Sequence, residues 1–329
     1  MTRLLRVIVA AGAALLAMAA SAPAQMQGPL QGQYPNKPIT LIVPFGPGST
    51  TDTISRIIAQ HLGQALNQSI VIENKPGANG AIAAAYVARA VPDGYTLLMS
   101  TNSPHSAAPS LNKSIAYDPV KDFEPVSRIG SFTLMLVLHP DVPATSIPEL
   151  IAYAKAHPGK LSFASGNASG VVAGETLKAW AGINLVHVPY RSTPPAVNDV
   201  LGGRVSMMFI DLTSGLPHIR AHALRALAVT RIQRSTLFPE LPSLHEAGVT
   251  NFDTDSWMGV FAPAHTPPDI VTRLNAELRK IVDNPEIKAR IGTLGFEAFS
   301  STPAELGGFV KVQLDKWTRM IRDAGIEPE

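Results

Sequence analysis

Twice along this chain a short apolar run breaks at a glycine-bounded, hydroxyl-rich loop and passes at once into helical periodicity. The first instance is Ile39-Thr-Leu-Ile-Val-Pro-Phe45, then Gly46-Pro-Gly-Ser-Thr50, then a helix from Thr51. The second is Leu161-Ser-Phe-Ala-Ser165, then Gly166-Asn-Ala-Ser-Gly170, then a helix from about Val171. A strand that turns into a helix through such a loop commits the chain to α/β architecture. It also leaves the first amides of the helix without intrahelical acceptors, at the positive end of the helix dipole. Proteins hold anions at such places. Two of them, on segments far apart in sequence, predict a cleft that clamps a small carboxylate.

The rest of the chain repeats the alternation. Strand candidates fall at 39–45, 69–74, 96–101, 134–139, 161–165, 185–190, 205–210, 225–230 and 257–262. Several are apolar at nearly every position, as expected of strands covered on both faces in a parallel sheet. Between them Ile54, Ile57, Ile58, Leu62, Ala65 and Leu66 keep helical spacing. Residues 78–90 form an alanine-rich helix that stops at Pro92-Asp-Gly94, and 267–283 and 302–324 are the longest amphipathic segments. No repeat of 20–50 residues occurs. Proline-rich connections at Tyr117-Asp-Pro119 and His139-Pro140, with a change of character around 249–255, predict two domains. Domain 1 takes 37–130 plus 255–329 and domain 2 takes 131–254. Two chain crossings then give a hinge, a cleft and Venus-flytrap closure.

The N-terminus carries an export pattern. Arg3 and Arg6 precede an apolar run from Val7 to Ala20, and Ala22-Pro-Ala24 supplies the small-x-small site before Gln25. The run is shorter than the roughly 20 residues that span a bilayer. A signal peptide over 1–24, cleaved near Ala24, and a flexible polar leader over 25–36 are expected, leaving a soluble periplasmic chain with no membrane insertion. The two arginines of the signal leave 25 basic and 25 acidic residues in the remainder. A balanced charge without a Lys/Arg cluster argues against nucleic acid. The absence of cysteine removes disulfides, thiolate nucleophiles and thiolate metal sites.

The first loop repays a closer reading. Gly46 and Gly48 allow close backbone approach, and Ser49-Thr-Thr-Asp52 fits a capping box. The amides of Gly48, Ser49, Thr50 and Thr51 are the candidate carboxylate donors; plain helix capping explains the pattern equally well. No Gly-Lys-Ser/Thr follows and the G-x-G-x-x-G spacing is not met, so phosphate binding is disfavoured. The second loop offers Ser165, Gly166, Asn167 and Ser169. Ser100-Thr-Asn-Ser-Pro-His105 follows another strand and places Thr101, Asn102, Ser103 and His105 at its C-terminal end, where open α/β sheets bind ligands. Phe45, Phe132 and Phe209 are candidate walls for an aromatic acid. Neither G-x-S-x-G nor H-E-x-x-H occurs, so an enzyme is not expected and no cofactor or metal site is indicated. An exported hydrolase, or a ligand sensor for a two-component system, stands as the alternative reading.

Motifs in order along the chain then narrow the choice. They are Tyr34-Pro-x-Lys-Pro-Ile-Thr40, Val43-Pro-Phe-x-Pro-Gly48, Asp52 with Arg56, and Glu73-Asn-Lys-Pro-Gly-Ala-x-Gly80. Pro92-Asp-Gly-Tyr-Thr96, Tyr117-Asp-Pro-x-x-Asp-Phe-x-Pro-Val126 and His187-Val-Pro-Tyr190 follow, then Pro195-Ala196, Leu201-Gly-Gly203, Trp257 and Phe261-Ala-Pro263. In these the chain resembles the Bug or TctC family, the extracytoplasmic solute receptors of tripartite tricarboxylate transporters. The resemblance implies a two-domain periplasmic binding protein with doubly wound sheets and helices on both faces. It also implies a monomer that passes its ligand to membrane permease subunits. Carried over, the carboxylate contacts are Gly48, Ser49, Thr50, Ser165, Gly166, Asn167 and Ser169, with Asp211 beside the site and Thr193 sensing ligand side groups. Arg191 stands where many relatives carry Lys, and its guanidinium is a candidate partner for a second carboxylate. The chain departs from the family at Gly48-Ser49, where Gly-Gly is frequent, and at Asn167-Ala168, where Gly-Ser is frequent. Candidate ligands run from C4–C6 dicarboxylates to citrate-like and aromatic acids.

Overall fold

Ten strands and ten helices alternate through the computed structural model, which describes residues 34–235, 238–249 and 252–328. The signal peptide expected over 1–24, and the leader as far as residue 33, lie outside the described residues. In chain order the elements begin β1 (Ile39–Val43), α1 (Thr50–Leu66), β2 (Ile70–Asn74), α2 (Ala81–Ala88) and β3 (Thr96–Thr101). A π-helical turn, Ser103–Ala107, then leads into α3 (Ala108–Leu111) and β4 (Phe123–Leu138). There follow α4 (Ile147–Ala156), β5 (Ser162–Ser165), α5 (Ala168–Ala181), β6 (Val186–Pro189), α6 (Thr193–Leu201), β7 (Met207–Asp211), α7 (Leu212–Arg220) and β8 (Arg225–Val229). The chain closes with β9 (Asp255–Pro263), α8 (Pro268–Val282), α9 (Pro285–Gly292), β10 (Phe296–Ala298) and α10 (Pro303–Asp323). All belong to one compact unit, Lys37–Glu329.

The strands join in the order β2-β1-β3-β9-β4-β7-β5-β6, with β8 and β10 also pairing to β4. The α/β class is as the sequence predicts, but the sheet is mixed. Parallel pairing holds within β2-β1-β3 and within β7-β5-β6. Both β9 and β4 run antiparallel to their neighbours. An all-apolar strand is buried on both faces whatever its direction, so the apolar runs did not distinguish the two.

The 16-residue β4 carries both halves of the sheet. Phe123–Thr133 pairs with β9, and Leu134–Leu138 pairs with β7 and β8. Its odd and even positions feed opposite cores, as a period of two demands. Leu134, Leu136 and Leu138 pack with Phe163, Phe209, Leu150 and Leu177. Met135 and Val137 pack with Met208, Ile210, Val197 and Val200. Each such side chain contributes about 1.5–3 kcal/mol by its burial. A separate cluster of Ile42, Leu98, Trp257, Phe261, Leu306 and Val310 serves the β1-β3-β9 side.

The expected strand at 134–139 is thus only the end of β4. Its first part was hidden by Pro125 and Gly130 and by two register irregularities, Pro125/Ser127 and Arg128/Gly130. Gly130 is required there, because a Cβ would fall 2.1 Å from the carbonyl oxygen of Glu297 on β10. The three-residue β10 was not anticipated either, since Phe-Glu-Ala offers no β-branched residue.

Local chemistry sets the helix starts that matter for the site. Ser49 accepts from the Asp52 amide at 3.2 Å and begins α1. Asn167 accepts from the Gly170 amide at 2.9 Å and begins α5. Asp211 accepts from the Ser214 amide at 2.8 Å and begins α7. Each cap satisfies one of the orphan donors at its helix start.

Candidate functional site

Four helices start around one small cavity. Its lining takes Ser49, Thr50 and Thr51 from α1, Asn167 and Ser169 from α5, Thr193 from α6, and Asp211 from the cap of α7. Thr101, Asn102 and Ser103 after β3, Ser256 on β9, and the rings of Phe45 and Phe132 complete it. Its volume is about 10 Å³, the space of a single water. Helix N-termini lining one small volume favour an anion there, although the Asp211 carboxylate already caps that of α7. Among the described residues lining it there is no Lys, Arg or His.

Hydrogen bonds across the cavity tie the two halves of the sheet together. The Gly46 amide donates to Ser192 Oγ at 3.0 Å. The Thr50 hydroxyl donates to the Asp211 carboxylate, 161 residues away, and lies 3.1 Å from Ser214 Oγ. Asn102 Nδ2 donates to Ser169 Oγ at 2.8 Å, and Ser169 Oγ also meets Ser256 Oγ at 2.9 Å. The Ala168 amide reaches Ser103 Oγ at 3.3 Å. Among the described residues no protein acceptor takes the amides of Thr50, Thr51 or Ser169. These three N–H groups, on α1 and α5, are open donors at the site.

The expected residues sort into three places. Ser49, Thr50, Thr101, Asn102, Asn167, Ser169, Thr193 and Asp211 meet at the cavity. Ser165, Gly166 and Arg191 line a neighbouring groove of about 520 Å³, with Asn79, Glu175, His187, Tyr190 and Glu327. Ser165 Oγ lies 2.7 Å from His187 Nε2, and Arg191 is exposed in the groove. Gly48 and His105 join neither. The Gly48 amide, expected to face ligand, donates instead to Asp52 at 3.0 Å, and the Ser49 amide donates to the Gly46 carbonyl at 3.2 Å. His105 is fully buried among Phe123 and Phe261, its Nδ1 2.6 Å from Ser100 Oγ. Burial drives its pKa down to about 3, so the ring stays neutral.

Of the aromatic walls, Phe45 and Phe132 are in place, whereas Phe209 packs on Phe252 in the core. Ser256 was missed by sequence reasoning. Its one signal is a hydroxyl within the otherwise apolar run Ser256–Phe261.

Two carboxylates at the site are shifted in opposite directions. Burial pushes Asp52 up, but the Arg56 guanidinium, Asn74 and the Gly48 amide outweigh it and hold the group below its ordinary value. Burial also pushes Asp211 up. Hydrogen bonds from Thr50 and Ser214 oppose this without reversing it, and Asp211 ends above its ordinary value.

Comparison with known proteins fits this arrangement. Residues 54–326 match the family described as "Tripartite tricarboxylate transporter family receptor", TctC. The chain belongs to the TctC family. Protein BugT of Bordetella pertussis is 36% identical over 331 residues, covering 99% of this chain and 98% of that protein. Among solved structures, an R. palustris protein with adipate superposes with a TM-score of 0.87 at 34% identity, covering 90% of this chain and all of that one. MatC from Rhodopseudomonas palustris with bound malate gives 0.83 at 30% identity, covering 88% and 100%. The periplasmic binding protein BugD gives 0.86 at 34% identity, covering 90% and 100%. Of these structures, one is thus of a periplasmic binding protein, and the other two hold adipate and malate. Among the described residues no helix is long and apolar enough to cross a membrane, and no group of three or more His, Cys, Asp or Glu could hold a metal ion.

Proposed function

We propose that this protein captures a small organic carboxylate between two lobes and hands it to a tripartite tricarboxylate transporter after export through the 1–24 signal. The lobes are 37–130 plus 255–329, and 131–254. One observation carries the reading: four helix N-termini surround a small buried volume, and among the described residues its lining holds no cation and the amides of Thr50, Thr51 and Ser169 have no protein acceptor. Neutral, oriented dipoles of this kind bind an anion without the desolvation cost of a buried lysine or arginine. Relatives with adipate and malate indicate the chemical class.

The same reading implies an order of events in binding. A cavity of about 10 Å³ cannot admit a dicarboxylate until the lobes part. Opening breaks the Gly46–Ser192, Thr50–Asp211 and Asn102–Ser169 bonds, and closure over ligand restores contacts on both sides, as in hinge receptors. Arg191, exposed in the adjoining groove, is set to meet a second carboxylate on a longer acid rather than the one held by the helix ends.

A thermal-shift screen of mono-, di-, tricarboxylic and aromatic acids tests the reading. A binding acid raises Tm by mass action, by about 2.7 kcal/mol in stability at a hundred times Kd. Ser49→Pro, which removes the α1 cap beside the open Thr50 and Thr51 amides, should reduce that shift. If no acid stabilises the protein, the carboxylate reading is wrong; if Ser49→Pro leaves the shift intact, the start of α1 is not the site.

A further inference from the structure

Asp211 is an anomaly in an anion site. It lines the same cavity as the open Thr50 and Thr51 amides, is 3% exposed, and is bonded through its own carboxylate to the Thr50 hydroxyl. A ligand carboxylate seated on α1 therefore arrives one residue from a buried carboxylate, inside a lining without a cation among its described residues. Two carboxylates that share a dry site do not both stay ionised.

No nearby pair relieves the conflict. On α1, Asp52 and Arg56 are bonded to each other at 2.9 Å. On β9, Asp255 sits opposite Thr133, next to the Leu134 that pairs with Asp211, and it is bonded to Arg231 at 2.8 Å. Arg231 also binds Glu297 on β10. His218 and Arg220 lie in the last turn of α7, at the opposite end from the Asp211 cap. On α5, Glu175 and Lys178 pair with each other at 2.7 Å. On β4, Arg128 stacks on Phe299 and Phe309.

We infer that Asp211 takes up one proton from solvent when a carboxylate ligand binds, so that the neutral acid donates a hydrogen bond to the ligand instead of repelling it. This rests on the carboxylate-receptor reading and adds to it a proton stoichiometry and a selection rule. The charge balance is one ligand anion plus one ionised Asp211 plus one solvent proton giving a complex with a single negative charge at the site. Burial already holds the free carboxyl above its ordinary value, in the direction that favours uptake. The bound state carries the extra proton, so affinity rises as pH falls. The dependence spans the interval between the Asp211 pKa in the free protein and its higher value in the complex. A ligand bearing a hydroxyl or ammonium donor beside its carboxylate needs the proton less, and its affinity varies less with pH.

Isothermal titration of the purified protein with adipate, malate, citrate and benzoate, at pH 5 to 9, is the test. Paired buffers of different ionisation enthalpy give the proton count. The expected results are uptake approaching one proton per adipate and an affinity that falls about tenfold per pH unit within the window. Malate, with its hydroxyl, shows a shallower slope. In Asp211→Asn the pH dependence disappears. Infrared difference spectra of the unmodified protein, showing a carboxylic-acid band that appears on binding, give the same answer if that variant does not fold. Binding of adipate without proton exchange at every pH overturns the inference, as does a pH dependence that survives in Asp211→Asn, which would assign it to another group such as Asp255. If none of the four acids binds, the receptor reading falls first and this inference with it.

Discussion

Gly166→Ala probes the closest approach at the site. A Cβ at Gly166 would lie 2.4 Å from the Thr193 amide nitrogen, 2.5 Å from the Ser192 carbonyl carbon and 2.6 Å from Thr193 Cα. These are backbone atoms at the start of α6, and no rotamer change relieves the clash. Ordinary contact requires the two segments to part by about 1 Å, and a close-packed interior yields this only with strain. Overpacking of this kind costs about 1–3 kcal/mol. For a unit of this size that corresponds to a fall in Tm of about 2–6 °C. The same movement separates the α5 and α6 N-termini, which line one cavity. A loss of about 1.4 kcal/mol or more of ligand binding is expected, at least about tenfold in Kd. Differential scanning fluorimetry reads the first effect and calorimetry with a stabilising acid the second. Gly308→Ala is the control, since a Cβ there meets nothing within 4 Å. A Gly166→Ala protein with unchanged Tm and unchanged affinity would refute the claim that these loops are held together by the absence of a side chain.

Three further outcomes follow from the same geometry. Ser192→Ala removes the acceptor of the buried Gly46 amide; unfolding by urea should show a loss of about 1–3 kcal/mol, and a loss near zero would mean that water replaces the hydroxyl. Asp52→Asn should cost about 1–2 kcal/mol at pH 7. Because Asp52 has a folded pKa below its unfolded one, this contribution is complete above about pH 4 and is lost as pH falls through the depressed value. Melting curves from pH 7 to 3 should therefore converge with those of the unsubstituted protein, and a constant gap would exclude the ionised pair as its source. Gly308→Ala, exposed on α10, should raise stability by about 0.5–1 kcal/mol, and a lower Tm would show that the helix needs that glycine.

What the sequence revealed was mostly local. Ser49 with Asp52, and Asn167 with Gly170, are neighbours along the chain, so their spacing alone announces a helix start. Most strands were visible because β-branched and apolar runs are short and bounded by glycine or proline. Pairing direction was not, since Val260 or Leu98 is equally buried beside a parallel or an antiparallel neighbour. The partners across the cavity were invisible for a related reason. Thr50 and Asp211 meet only after the whole sheet has formed, and nothing near either residue names the other. Gly48 shows the limit of motif reasoning. A glycine before a capped helix suggests a donor for ligand, yet Asp52 reaches back one residue further than a capping box requires and takes that amide. His105 shows it again, for a polar residue at a strand's end turned inward against Phe123 and Phe261.

The shared strand β4 has a consequence for biosynthesis. Its first eleven positions and the outer side of β3 both wait for β9, which follows β4 by more than 115 residues in the chain. Until then two strand edges stay open to any passing chain. Translation halted before residue 255 therefore yields an adhesive fragment rather than a small stable domain, and addition of the last 75 residues is the step that covers those edges.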